Sequence, residues 1–144
     1  MKFVKQTICN AINGNCFSAC LASVLGLDIG DVPNFWDFLD RSLKGEDLNK
    51  AWTTEVLKFL NLYGLSFILI RYEDRLFELY LKNTPVMVSG TSPRDPNVDH
   101  VVVYLNGKMI HDPYPEPLGI KGRPSEIFIL FPKRCNLENE NPTP

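Results

Sequence analysis

The clearest helical pattern near the start of the chain covers Cys16–Leu25, in which apolar side chains recur every three or four residues. Gly26 follows directly and supplies a C-terminal stop. Because apolar side chains dominate this segment, we expect a buried helix. Turn residues at 27–33 then lead to a shorter helical segment around residues 35–39.

A further helix is predicted in the middle of the chain, with Thr53 or Thr54 as its N-cap and Gly64 at its C-terminal cap position. Its apolar face consists of Val56, Leu57, Leu60 and Tyr63. This spacing is typical of a helix that packs one face on a core.

The pattern changes to strands in the second half of the chain. Strand-like runs occupy residues 66–70, 85–89, 100–104, 109–112 and 127–131, and a short helix is predicted at 74–81. Helices that precede antiparallel strands indicate an α+β domain, with the first helix packed across one face of the sheet. We expect one domain over residues 1–134 and a polar, disordered tail at 135–144.

Composition and charge exclude several function classes. The 144 residues are 44% hydrophobic and 22% charged, and the formal net charge of -2 leaves no basic surface for duplex nucleic acid. No run approaches the roughly 18 consecutive apolar residues of a membrane span, and the first residues lack the apolar core of a signal peptide. We therefore expect a cytoplasmic protein with no membrane partner.

The four cysteines are Cys9, Cys16, Cys20 and Cys135, and they form neither CxxC pairs nor a zinc-site spacing with the histidines. No metal site and no cofactor are expected. In a reducing compartment such thiols stay free unless they are catalytic. The sequence leaves open a Cys9–Cys135 bridge that would join the two ends of the chain.

Cys16 is the candidate nucleophile. It follows Gly14-Asn15 where a loop enters the first helix, so its thiol lies near unpaired N–H groups and the positive end of the helix dipole. This environment favours the thiolate. The competing interpretation is a small buried apolar side chain, the commonest fate of an intracellular cysteine. Cys20, one turn later on the apolar face, is expected to be structural.

His100 is the candidate base, at the start of a Val-Val-Val strand and after a polar loop at 91–99. Asp112 could accept a hydrogen bond from one imidazole nitrogen and leave the other for the Cys16 proton. Taken alone, an aspartate before Pro113 is more often a turn residue. Its joint occurrence with the histidine favours the catalytic interpretation.

The hairpin between these two residues decides whether they can meet. A two-residue turn at 106–107 would send His100 and Asp112 to opposite faces of the sheet. A three-residue loop at 105–107, with its glycine in a left-handed bulge position, would place them directly opposite each other. We predict the three-residue loop. In that register His111 faces away from His100 and is a structural or rim residue.

A tetrahedral intermediate also needs hydrogen-bond donors for its oxyanion. The backbone N–H of Cys16 can supply one donor, and an upstream side-chain amide can supply another. The candidate amides are those of Gln6, Asn10 and Asn15.

Two parts of the sequence carry a resemblance to a known family. Residues 14–27, GNCFSACLASVLGL, followed by 31–35, DVPNF, resemble uncharacterised papain-like proteins common in bacteria and their phages. Residues 100–103, HVVV, and 110–115, IHDPYP, followed by Gly119, are similar to the histidine strand and the Asp-Pro motif of that group. Together they extend over most of the chain.

The resemblance implies a papain-like cysteine peptidase fold, distantly similar to bacteriocin-leader-processing peptidases, with Cys16, His100 and Asp112 as the triad. It also implies an upstream glutamine at the oxyanion hole, which Gln6 matches. In those peptidases the glutamine usually lies closer to the cysteine, at the position that Asn10 occupies here. Both amides are therefore oxyanion candidates. A bacterial cell or a phage-infected host is the expected setting.

The leading functional hypothesis is a cysteine-dependent hydrolase or acyltransferase that acts on an amide, peptide or ester bond through a thioester. Its expected partner is a peptide, an amide or another small substrate. Papain-like scaffolds host several chemistries, so the substrate stays open.

The alternative is a non-catalytic phage or bacterial binding protein that sequesters a host protein or a small nucleotide-like signal. A Cys16→Ala variant separates the two, because an enzyme loses function while a binder retains affinity. Hydrolysis of a phosphodiester is the weakest hypothesis, since the sequence has neither a metal cluster nor a Gly-rich phosphate loop.

Overall fold

The computed structural model describes residues 1–134. The helices are α1 Cys16–Leu25, α2 Gly45–Asn61 and α3 Arg75–Leu79, with 3-10 turns at Ile29–Asp31 and Phe35–Phe38. The strands are β1 Leu65–Arg71, β2 Val86–Thr91, β3 Asp99–Leu105, β4 Lys108–His111 and β5 Glu126–Pro132. The predicted tail at 135–144, and with it the Cys9–Cys135 bridge, lies outside the described residues.

The five strands form one sheet in the order β1-β5-β2-β3-β4, and every neighbouring pair is antiparallel. The predicted α+β class is confirmed. Helix α1 packs on β3 and β2, while α2 packs on β1. This arrangement carries the first residue of α1 to the edge where β3 begins.

Hydrophobic clusters cover both faces of the sheet. The cluster under α1 and α2 includes Phe17, Leu21, Phe35, Val56, Leu60, Met87, Val103 and Phe128. The second cluster includes Tyr72, Phe77, Leu81, Val86, Val88, Val102 and Ile127. Alternate residues of the central strands thus point to different cores, as the period of a strand requires. Burial on both faces makes this sheet a rigid platform for the residues at its ends.

Helix α1 has the predicted bounds, and Gly26 adopts the left-handed conformation at its C-terminus. Helix α2 is longer than expected, because it begins at Gly45 and not at Thr53 or Thr54. The Thr54 hydroxyl donates to the Lys50 carbonyl oxygen one turn earlier, so it lies inside the helix and caps nothing. The prediction of its N-terminus was wrong because acidic residues in the first turn, rather than a threonine cap, favour the start.

The prediction of a three-residue loop between β3 and β4 was also wrong. Asn106 and Gly107 both have positive φ, 52° and 78°, as the two central residues of a type I′ turn require. The ladder therefore pairs Leu105 with Lys108, but an irregularity further along pairs Val103 with His111. One extra residue in β4 reverses the alternation of the residues that follow.

The segment after β4 crosses closely over the sheet. Gly90 lies opposite His100 in the ladder, and a Cβ atom there would be 2.5 Å from Ile120 Cγ2. Backbone bonds hold the crossing on both sides, from the Lys121 N–H to the Thr91 oxygen and from the Ser125 N–H to the Ser89 oxygen. The absence of a side chain at Gly90 therefore allows this segment to reach the end of β3.

Within residues 1–134, no single helix is long and apolar enough to cross a membrane. The segments Cys16–Leu25 and Ile29–Phe38 reach the length and apolar composition of a membrane span only when they are counted together, across a bend of 104°. Most of α1 is buried in the core.

Candidate active site

A cleft of about 580 Å³ opens at the N-terminus of α1. Four of the five predicted site residues, Gln6, Asn10, Cys16 and His100, line it. The fifth, Asp112, lies behind the histidine, and its side chain is 0% exposed. The structure thus brings the predicted nucleophile, base and aspartate together, although they are far apart in the sequence.

Asn15 precedes α1 but does not cap it with its side chain. Its Oδ1 instead accepts the backbone N–H groups of Thr7 and Ile8 at 3.0 and 2.9 Å, and its Nδ2 donates to the Thr7 hydroxyl. The first helical bond to the Asn15 carbonyl oxygen comes from Ala19. The N–H groups of residues 16–18 consequently have no backbone or capping partner among the described residues, and they lie in the first turn of the helix that Cys16 opens.

The loop before α1 has a geometry that only glycine permits at one position. The Gly14 N–H donates to the Asn10 carbonyl oxygen at 3.1 Å, and a Cβ atom on Gly14 would be 2.5 Å from that oxygen. The Asn15 N–H closes the base of the loop on the Ile8 oxygen at 3.1 Å. This tight closure sets the position of Cys16 relative to the cleft.

The two predicted oxyanion amides lie in different environments. Gln6 is 7% exposed, its Nε2 donates to the Ile8 carbonyl oxygen at 2.9 Å, and its Oε1 is buried with no partner among the described residues. Asn10 is exposed, and its Oδ1 accepts the N–H groups of Ile12 and Asn13. Asn10 is therefore engaged in the turn, whereas Gln6 presents an incompletely bonded amide to the cleft wall.

His100 and Asp112 form a buried pair in which Nε2 and Oδ1 are 2.7 Å apart. Burial alone would favour the neutral ring, but hydrogen bonds to Asp112 and Cys16 outweigh it and raise the pKa of His100 to about 9. Because Nε2 faces the carboxylate, Nδ1 is the nitrogen left for the thiol. The imidazolium is therefore the main form of this ring at neutral pH.

Both carboxylate oxygens of Asp112 accept hydrogen bonds from backbone N–H groups. Its Oδ1 also accepts the Tyr114 N–H at 2.9 Å, and its Oδ2 accepts the N–H groups of Leu118 and Gly119 at 3.1 and 2.8 Å. Burial raises the pKa of this carboxyl, but the bonds from His100, Tyr114 and Gly119 outweigh burial and lower it to about 2. The turn role expected of an Asp-Pro sequence is present, and the same carboxylate also holds the histidine.

Lys5 and Gln6 in the N-terminal segment form hydrogen bonds to the loop at 112–114, which we call the aspartate loop. Lys5 Nζ donates to the carbonyl oxygens of Asp112 and Tyr114 at 3.0 and 2.9 Å, and the Gln6 N–H donates to the Pro113 oxygen at 2.9 Å. Sequence reasoning missed Lys5, because a lysine near a chain end carries no signal for a partner more than a hundred residues away. Lys5 thus joins the Gln6 wall of the cleft to the backbone of the loop that carries Asp112.

His111 does not take part in the cleft. It is buried, its Nε2 donates to the Val4 carbonyl oxygen at 2.7 Å, and its ring stacks on Phe3. Burial lowers the pKa of His111, so the neutral ring is favoured. The structural role that the sequence predicts agrees with this position, which is in the interior and not at the rim.

The other described cysteines differ from Cys16 in exposure and partners. Cys20 is fully buried, its thiol donates to the Val101 carbonyl oxygen at 3.2 Å, and burial raises its pKa. Cys9 is exposed at the rim of the same cleft. Cys16 can therefore be compared with a buried thiol, that of Cys20, and with an exposed thiol, that of Cys9.

Tyr114 and Arg94 complete the wall beside the histidine. Tyr114 belongs to the IHDPYP motif, but neither residue was given a role from the sequence. The Tyr114 ring meets the His100 ring edge to face with centroids 6.4 Å apart, and the Arg94 guanidinium lies 3.4 Å from the Tyr114 ring centre. This layer shields His100 from water. The position of Tyr114 two residues after the aspartate was the signal that could have found it.

Residues 1–134 hold no group of three or more His, Cys, Asp or Glu side chains arranged to bind a metal ion. Comparison of the chain with protein-family models, with curated proteins and with solved structures gives no match.

Proposed function

We propose that this chain is a papain-like cysteine hydrolase or acyltransferase, with Cys16 as nucleophile, His100 as acid and base, and Asp112 as the group that orients the histidine. One observation carries the proposal: a thiol at a helix N-terminus faces an imidazole whose other nitrogen is held by a buried carboxylate. A nucleophile that opens a helix packed on an antiparallel sheet supports the papain-like assignment.

The reaction begins with attack of the Cys16 thiolate on an acyl carbonyl. The new S–C bond converts the carbonyl to an oxyanion, and His100 then gives its Nδ1 proton to the leaving oxygen or nitrogen as that bond breaks. In the second half, His100 takes a proton from water or an amine, which attacks the thioester and expels the Cys16 thiolate. The proton on His100 is restored in each cycle.

The oxyanion would lie at the start of α1. The Cys16 N–H is free of backbone partners there, and the Gln6 amide nitrogen carries a second N–H beyond the one bonded to Ile8. We assign Gln6 rather than Asn10 to this role, because the Asn10 side-chain oxygen holds a turn and the residue is exposed.

The test is acylation by p-nitrophenyl acetate, read by release of nitrophenolate and by mass spectrometry of the protein. We expect a burst stoichiometric with protein, with the acetyl group on Cys16, and loss of the burst in Cys16→Ser and His100→Ala. Cys9→Ser is the matched control, because Cys9 is exposed on the same cleft. Acetylation confined to Cys9 or to lysines would contradict the proposal and favour a binding protein.

A further inference from the structure

The two walls of the cleft differ in chemistry. One wall contains Ile12, Phe17, Trp36 and Trp52, and the other is the polar loop at 92–99. Ile12 is 76% exposed and Trp36 is 39% exposed. Large apolar side chains left in water along one rim of a cleft mark a surface for an apolar ligand.

A second cavity of about 220 Å³ opens on the other side of this rim, because Ile12 and Trp36 line both cavities. Its further apolar lining consists of Leu39, Leu43 and Leu48. We call this cavity the leucine pocket. Asn13, Asp40 and Arg41 also line it. An extended group bound at Cys16 could cross the rim at Ile12 and Trp36 and lie against the three leucines.

The rim is held in place by specific contacts. The Asn34 side-chain amide donates to the Asn13 carbonyl oxygen at 2.7 Å and so joins the loop that carries Ile12 to the turn that carries Trp36. The Trp36 ring lies 6.4 Å from the Trp52 ring, centre to centre. Packing and a hydrogen bond therefore fix the passage between the two cavities.

The polar wall offers few backbone N–H donors for the main chain of a peptide. In the loop at 92–98, two residues are prolines, and the N–H groups of Ser92, Arg94, Asn97 and Val98 are bonded within the loop. Only the Asp95 N–H has no partner among the described residues. A peptide bound in extended form exchanges hydrogen bonds with both donors and acceptors of the cleft backbone. This loop offers carbonyl acceptors but almost no N–H donors, so its contacts favour a ligand recognised by its apolar group.

We propose, on the basis of the proposed thioester chemistry, that the substrate's acyl group is a linear aliphatic chain that runs from Cys16 past Ile12 and Trp36 into the leucine pocket. The polar loop then faces the leaving group. Leu43 becomes a residue that determines chain-length specificity.

The first test measures Cys16 acylation by p-nitrophenyl acetate, butyrate, hexanoate and octanoate, each divided by its rate with a small free thiol. We expect an increase of up to about fourfold for each methylene that becomes buried. Leu43→Asn should flatten the series, while Leu79→Asn, at an exposed leucine on α3, should not. Equal corrected rates along the series, or a faster reaction with N-acetylleucylglycine p-nitrophenyl ester than with the octanoate ester, would overturn the proposal.

The second test separates the pocket from the chemistry. In Cys16→Ala, octanoate should change tryptophan fluorescence saturably and acetate should not, with about tenfold weaker octanoate binding after Leu43→Asn. If octanoate binds but no ester acylates Cys16 in the wild type, the thioester chemistry fails and the pocket stands. If the acetate ester acylates Cys16 but octanoate binds no better than acetate, the aliphatic pocket fails and the nucleophile stands.

Discussion

The substitution Asp112→Asn tests the centre of the site, because it removes one charge and changes almost no volume. The two backbone N–H donors at Oδ2 require an oxygen there. The amide nitrogen of the variant must therefore take the place of Oδ1 and donate to His100 Nε2. The ring would then carry its proton on Nδ1 and could no longer accept the proton of Cys16.

The magnitude follows from the pKa of His100. With a folded pKa of about 9 against 6.5 for an unperturbed histidine, the interactions of His100 with Asp112 and Cys16 together contribute about 3 kcal/mol to folding at a pH below 6.5. This contribution is complete below pH 6.5 and is lost as pH rises through about 9. Since the pKa of Asp112 is lowered to about 2, the contribution of its carboxylate to folding stability is complete above pH 3.8 and is lost as pH falls towards 2. Loss of the carboxylate removes the largest contribution that raises the pKa of His100, so we expect burial to favour the neutral ring in the variant.

Urea denaturation followed by tryptophan fluorescence measures the difference between wild type and Asp112→Asn. We expect it to be largest between about pH 4 and 6.5 and to shrink towards pH 9 without vanishing, because the carboxylate still accepts three backbone N–H groups there. Alkylation of Cys16 by iodoacetamide at pH 6 should fall at least about tenfold, with Cys9 as the internal reference.

The matched control is Asp31→Asn, at an exposed aspartate in the turn after α1, which should change neither quantity. A stability difference that is constant from pH 6 to 9, or unchanged Cys16 alkylation in a folded variant, would refute the charge pairing between Asp112 and His100.

Three further substitutions or labelling experiments probe the supports of the site. Gly14→Ala should cost about 1–3 kcal/mol in urea denaturation, because its Cβ would overlap a carbonyl oxygen, whereas Gly30→Ala, with open space around it, should have little effect. Lys5→Met removes two hydrogen bonds to the loop that carries Asp112, so it should lower the free energy of unfolding by about 1–3 kcal/mol and slow Cys16 alkylation. Its control, Lys2→Met, breaks an exposed ion pair and should lower the free energy of unfolding by less than about 1 kcal/mol. Equal decreases in the two variants would contradict the role of Lys5. Cys20 should react with iodoacetamide only in denaturant, and labelling of the native protein would show that the α1 core opens.

The sequence predicted well the features that depend on neighbouring residues. Helix α1 and its glycine stop follow from local spacing, and the strands follow from local composition. The hairpin shows the limit of this approach. Its two-residue turn was readable from Asn106-Gly107, but the irregularity in β4 was not, because it depends on contacts formed by Asp112 and the segment after it.

The pairing of His100 with Asp112 was therefore predicted for a partly wrong reason. The expected register would have placed the two residues opposite each other, whereas the observed ladder places His111 opposite Val103 and uses an extra residue to turn the aspartate towards the histidine. Lys5 was not predictable at all, since its contacts to Asp112 and Tyr114 depend on how the fold brings segments more than a hundred residues apart together.

The fastening of residues 4–6 to the loop at 111–114 also has a consequence for synthesis of the protein. The bonds from Lys5 to Asp112 and from His111 to Val4 each join residues 107 positions apart. A ribosome makes the thiol early and its base and aspartate late, so a nascent chain contains Cys16 long before anything can activate it. Contacts of such separation form late in folding. Under the proposed mechanism, the activation of Cys16 therefore waits until the chain has been made through Gly119, and the nascent chain carries an ordinary thiol until then.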